Sequence, residues 1–137
     1  MEKETPRSVG SLILAVLNFL NGLAAAGLAF ALLSSAQPSE NTWGVFQAIS
    51  AAGMIGLGLC LFVYRKSALA CAVITILLSL IEAGIGIPFA ASKSPGLGGD
   101  MVSFFGSIGT GILAVVPTVT LIALLAGRKP TPPSEVR

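Results

Sequence analysis

The chain contains no histidine. That removes the commonest general base and the commonest metal ligand together. Cysteine is almost as scarce. Two residues, Cys60 and Cys71, do not make a disulfide framework or a zinc site. Charge is the third shortage. Eight basic and six acidic residues amount to 10% of the 137, where a soluble domain carries about 25%. A domain of this length has a large surface for its volume, and so few charges would leave apolar patches all over it. Lipid as the solvent removes that difficulty, in keeping with a 54% hydrophobic composition and a mean hydropathy of +0.90.

The shortages also bound the chemistry. Without histidine, and with a single carboxylate inside the apolar runs, neither a Ser-His nor a metal mechanism can be assembled. The chain is therefore read as no enzyme, with no catalytic, cofactor-binding or metal-binding residue and no cofactor.

What the chain does have is four long apolar runs. A spanning helix needs about 20 mostly apolar residues, because the hydrocarbon is about 30 Å thick and the rise is about 1.5 Å per residue. Residues 9–33, 43–64, 67–90 and 101–127 meet that length and predict four spans in one transmembrane domain, 9–127. Unbroken apolar runs without period-2 alternation favour helices over a barrel. The first run follows Lys3 and Arg7 and ends near Ser34-Ser35-Ala36, in the manner of a signal peptide. It is far longer than the 7–15 residues of such a core, so it is read as a span. Residues 34–42 and 93–100 hold turn-forming types and are expected to be loops. Pro95-Gly96-Leu97-Gly98-Gly99-Asp100 lacks the Lys-Ser/Thr ending of a phosphate loop. Arg65-Lys66 alone joins the second and third spans, which implies a tight hairpin. Residues 1–8 form a polar N-terminus and 128–137 a flexible tail.

Orientation follows from the basic residues. Lys3, Arg7, Arg65, Lys66, Arg128, Lys129 and Arg137 fall in the two termini and the middle connection, and only Lys93 in the other two loops. The positive-inside rule then places both termini in the cytoplasm. The expected fold is all-α: an integral membrane four-helix bundle of antiparallel up-down spans, N-in and C-in. Trp43 is expected at the outer interface and Tyr64 at the inner one, as aromatic belts.

Without a hydrophobic drive between helices in lipid, small residues that let backbones approach carry the packing. The second span offers a stripe at four-residue spacing, Gly44, Ala48, Ala52 and Gly56, extended by Cys60. It marks that span as the central element, or as a face for a partner. Pro117 should kink the fourth span and frees the carbonyl of Leu113; Thr118 and Thr120 are candidates to re-satisfy the backbone. Pro88 is expected to end the third span. Cys60 and Cys71 each lie about 6 Å inside the cytoplasmic face by helical rise, where they are read as buried small residues. A faint repeat relates Gly27-x-x-Phe30-Ala31 to Gly86-x-x-Phe89-Ala90.

Glu82 is the one ionisable residue inside a predicted span. A carboxylate at a helix centre costs about 2.5–3.5 kcal/mol on insertion scales, so such residues face protein or water. Counted from Ser67, Glu82 lies about 22 Å along the helix, in the outer third. Ser79 shares its face. Ser50 and Thr110 fall at similar heights on the second and fourth spans, and Asn21 about one turn lower, with Asn18 on the same face. The candidate intramembrane polar cluster is Glu82, Ser79, Asn21, Ser50 and Thr110. Three roles compete for Glu82: protonated structural glue, a proton or cation site, or a contact with headgroups or a partner subunit. Small multidrug transporters share the outline of a short four-helix protein with one embedded glutamate. Theirs lies on the first helix, where this chain has Asn18 and Asn21, so the chain is not assigned to that family.

The leading functional expectation is a non-catalytic accessory or scaffold subunit of a larger membrane complex, in a bacterial inner membrane. The alternative is a homo-oligomeric small transporter or channel with Glu82 as the proton- or cation-coupling carboxylate. A binder of a lipid or pigment between helices is a weaker third. The partners expected are the lipid bilayer and other membrane subunits or further copies of the chain, not nucleic acid.

Overall fold

The computed structural model describes residues 9–63 and 65–127, apart from the side chain of Arg65. The expectations for residues 1–8, Tyr64 and 128–137 lie outside the described residues. Four helices account for nearly everything described: α1 (Val9–Leu33), α2 (Pro38–Phe62), α3 (Ala68–Ala91) and α4 (Leu97–Ala126). All four are long and apolar enough to cross a membrane. A single 3-10 turn, Arg65–Ser67, leads into α3.

Two helices begin earlier than the apolar runs suggest. α2 starts at Pro38, inside the expected loop, because proline at a first helical position has its φ preset and lacks an N–H that would go unused there. α4 starts at Leu97, after Gly96 turns the chain at φ +78°, a conformation that glycine alone adopts freely. Each extended start carries an acid in its first turn, Glu40 and Asp100, where the helix dipole favours negative charge. The charge that ends the apolar run therefore belongs inside the helix. Asn41, in the first turn of α2, donates its side-chain amide to the carbonyls of Leu32 (2.9 Å) and Ser35 (2.7 Å). It thereby satisfies acceptors that the end of α1 leaves open.

α3 is not a uniform helix. Ala68–Ile81 is α-helical, Glu82–Gly86 widens into one π turn, and Ile87–Ala91 resumes the α form. The N–H of Ile87 reaches back five residues to the carbonyl of Glu82. Pro88, expected to end the helix, follows this turn directly. A proline ring clashes with the carbonyl four residues back, and a π turn relieves such a clash by adding a residue to the turn.

α2 packs against each of the other three helices. Among the described residues α1 and α3 do not meet, so they flank the α2–α4 pair. Along α1 the buried positions are Ala15, Asn18, Gly22, Ala25, Ala29 and Leu32. Alternating steps of three and four residues make a 3.5-residue seam, as in coiled coils. On α2 the matching close contacts fall at Gly44 and Gly58, seven residues either side of the buried Ala51. The four-residue stripe therefore does not form one interface. Gly44 meets Leu32 and Leu33, but Ala52 is exposed and nothing lies near Gly56. Each four-residue step advances about 40° beyond a full turn, so the row winds off the seam. Ala48 and Ala52 instead line an outward apolar groove of about 310 Å³ with Ala26, Ala29 and Ile55.

The distribution of polarity is inside out. Phe30, Phe104, Ile112 and Leu80 are more than 60% exposed, while Asn18, Gln47, Ser50, Thr75, Glu82, Thr110 and Thr120 are buried. In water that arrangement would be costly on both counts. In lipid it is the expected one, and it is compatible with a multi-pass membrane protein.

Candidate functional site: a buried polar centre around Glu82

Glu82 stands at the start of the π turn with 2% of its surface exposed. Ser50 Oγ donates to its Oε2 at 2.5 Å. Trp43 Nε1 donates to Oε1 at 3.1 Å, and Thr110 Oγ1 to the same oxygen at 3.3 Å. A carboxylate on α3 is thus held by two donors from α2 and one from α4. All three donors are neutral.

Of the residues singled out from the sequence, Ser50 and Thr110 are gathered at Glu82 and two are not. Ser79 Oγ donates to the carbonyl of Thr75, one turn back on its own helix (3.1 Å), a habit of hydroxyl side chains within helices. Asn21 belongs to a separate polar layer. Its amide donates to the carbonyl of Leu113 at 2.7 Å and approaches Met54 Sδ at 3.3 Å. Leu113 is the residue whose carbonyl Pro117 frees, so the acceptor lost to α4 is met by a donor from α1. Thr118 and Thr120 turn instead to the carbonyls of Ala114 and Val116 (2.7 and 2.8 Å). Asn18 adds a second tie between the same helices, donating to Thr120 Oγ1 at 2.7 Å.

This pairing predicts a specific coupling. Asn21→Leu should cost about 1 kcal/mol, within the range of intramembrane hydrogen bonds. In the Pro117→Ala background an N–H returns at position 117, so the cost of Asn21→Leu should fall toward zero. A double-mutant cycle read by thermal unfolding in detergent measures this; an unchanged cost would separate Asn21 from the proline.

Trp43 is a site residue that its residue type places elsewhere. It lies near the N-terminal end of α2 but turns inward: it is 6% exposed and its indole N–H donates to Glu82. The signal for its place is Gln47 and Ser50, four and seven residues on, which share its face of the helix. Gln47 is a second residue absent from the expected cluster. It has no exposed surface, and neither its Oε1 nor its Nε2 has a hydrogen-bond partner.

Elsewhere the bundle is held by small residues and local bonds. Thr75 Oγ1 lies 2.9 Å from the carbonyl of Gly53, a tie between α3 and α2. Cys60 and Cys71 face each other across the α2–α3 hairpin as half-buried thiols, their sulfurs 2.7 Å apart. The two halves of the faint repeat differ in setting. A Cβ at Gly86 would strike the Phe46 ring, whereas Gly27 faces open space.

Four apolar helices closed over a carboxylate define a helical bundle of the multi-pass membrane type. No protein-family model, curated protein or solved structure matches the chain.

Proposed function

We propose that the chain is a non-catalytic, multi-pass membrane protein that serves as an accessory or scaffold subunit of a larger membrane complex. The observation that carries this reading is the sealed interior: Glu82 meets three donors from its own chain while the outer surface is apolar. A carboxylate satisfied in this way ties helices together. In this reading the outward groove beside Ala48 and Ala52 seats a partner's helix, because small residues let backbones approach. The spans run antiparallel, with both termini and the Arg65–Ser67 turn in the cytoplasm of a bacterial inner membrane. The topology draws support from Ser39, whose N–H lies 3.4 Å from Ser94 Oγ; this contact brings the α1–α2 and α3–α4 connections to one end. The orientation rests on the basic residues. Extraction in gentle detergent followed by native mass measurement tests the proposal. A stoichiometric complex with another membrane protein is expected; an isolated monomer without a co-purifying protein would overturn it.

A second reading, a homo-oligomeric transporter or channel coupled through Glu82, is favoured by one observation, the unpartnered amide of Gln47 on the face that holds Glu82. It requires that Glu82→Gln abolish proton- or cation-coupled uptake in vesicles.

A further inference from the structure

Among the described residues Asn18 Oδ1 and Ser39 Oγ each lack a hydrogen-bond partner, and Gln47 leaves two buried polar atoms unpaired. Burying an amide without hydrogen bonds costs about 1–3 kcal/mol by mutational measures, and a leucine would fill similar space without that cost. Both of its polar atoms are unpaired in the protein, and it is wholly buried. On the buried face of α2 it lies four residues after Trp43 and three before Ser50, the two residues of that helix that hold Glu82.

The donor set on this face has a consistent chemistry. Glu82 accepts three hydrogen bonds, and an ionised carboxylate has about four acceptor positions. One position is therefore left over. The Gln47 carbonyl is unused, and the hydroxyl oxygens of Ser50 and Thr110 keep lone pairs after donating. These are hard oxygen donors, the kind that hold alkali and alkaline-earth cations rather than soft metals. Among the described residues no three His, Cys, Asp or Glu side chains gather, so the site offers one formal negative charge. A divalent ion would leave a net charge in a low-dielectric interior, which is expensive. A monovalent ion neutralises Glu82.

We propose that Glu82 and Gln47, with the hydroxyl oxygens of Ser50 and Thr110, form a binding site for one alkali cation of the sodium class. Glu82 supplies the charge and Gln47 the neutral carbonyl oxygen. Trp43 cannot ligate a cation, since an indole N–H only donates; its hydrogen bond to Oε1 positions the carboxylate. The site concerns binding and stands whether or not the ion crosses the membrane. An uptake assay and a binding assay therefore fail independently.

The molecule carries its own reporter. Trp43 is the sole tryptophan, and its indole N–H touches the proposed carboxylate directly. Intrinsic fluorescence of the purified full chain would be followed as sodium replaces N-methylglucamine at constant ionic strength and pH, with thermal unfolding read in parallel. The expected result is a saturable change in Trp43 emission and a rise in the unfolding midpoint that grows with sodium, as for any ligand that binds the folded state. Gln47→Leu should weaken the apparent affinity by about tenfold or more, the loss of one charge-assisted contact, while folding at least as well as the parent without sodium. Glu82→Gln should abolish the response. Fluorescence and midpoint both indifferent to lithium, sodium and potassium would overturn the site, as would a response to protons alone. A sodium response of unchanged affinity in Gln47→Leu would also overturn it. That comparison decides the matter even if the Glu82 variant fails to fold.

Discussion

Glu82→Ala is expected to destabilise the bundle by about 3 kcal/mol or more, the largest loss from any single polar substitution here. The substitution removes the acceptor for Trp43 Nε1, Ser50 Oγ and Thr110 Oγ1 at once, and each buried donor left unpaired costs about 1–3 kcal/mol. It also removes side-chain volume from a buried position, adding a cavity cost of the kind seen in large-to-small core changes. Some of the loss will be recovered as the hydroxyls turn to backbone carbonyls, so the three costs will not simply add. Glu82→Gln keeps the volume but exchanges one acceptor oxygen for a donor, and should fall between alanine and the parent. A compensated variant separates hydrogen bonding from packing. Glu82→Leu combined with Trp43→Phe, Ser50→Ala and Thr110→Val removes the donors together with the acceptor, and replacing both partners by apolar groups is close to neutral. It should recover much of the stability lost in Glu82→Leu alone. Unfolding in detergent by heat or by a denaturing detergent, read by circular dichroism, gives the order. An alanine variant within about 0.5 kcal/mol of the parent, the range of an inert surface change, would mean that the carboxylate does not hold the helices together.

Much of this centre is legible in the amino-acid sequence, because helical rise is regular. Counting about 1.5 Å per residue brings Ser50 and Thr110 to the height of Glu82 and sets Asn21 about one turn lower. The structure has Ser50 and Thr110 on Glu82 and Asn21 on the Leu113 carbonyl. What height and face cannot supply is the acceptor a hydroxyl chooses. Ser79 is close in height and shares a face with Glu82, yet its hydroxyl is taken by the carbonyl of Thr75. Trp43 departs from expectation for a different reason. Tryptophan suits a membrane interface in general, and that preference masks the local fact that residues 43, 47 and 50 are polar-capable and lie on one face.

The irregular parts of the backbone are less legible. Pro88 reads as a stop from sequence, since its ring opposes the helix. That the chain absorbs the conflict by a π turn through Glu82–Gly86 depends on the neighbours. Gly86 presses on the Phe46 ring, and Ile87 packs over Gly106, contacts that hold the chain helical past the strain. Pro117 is the counterpart. It reads as a kink that frees a carbonyl, and the partner of that carbonyl sits 92 residues away on α1. No local pattern announces such a partner; only the joint presence of an asparagine and an intrahelical proline at similar depth does.

Gly22→Ile is expected to cost about 3 kcal/mol, the upper part of the range for overpacking a close contact, whereas Gly56→Ile should fall within about 0.5 kcal/mol of the parent. Both glycines lie in apolar helices of the same pair, so propensity and hydrophobicity do not distinguish them. Geometry does. A Cβ on Gly22 would lie 2.5 Å from Ile55 Cγ1 and 2.8 Å from the backbone nitrogen of Ile55. The Ile55 side chain can swing away, but its backbone cannot, so α1 and α2 would have to part. Their separation would be felt at Gly44 and Gly58, whose Cβ positions also lie close to the facing helix, though less so, at 3.0 Å from their nearest atoms. At Gly56 nothing stands within 4 Å of the added carbon, and in lipid an extra apolar side chain on an open face meets only acyl chains. The comparison tests the phase of the interface directly. Seven residues return a helix to within about 20° of the same direction, while each four-residue step overshoots by about 40°; a seam held by Gly44, Ala51 and Gly58 therefore stays on α1 where a row through Ala48, Ala52 and Gly56 leaves it. Equal losses for the two variants, measured by the same unfolding experiment, would place Gly56 in an interface with another subunit or a second copy.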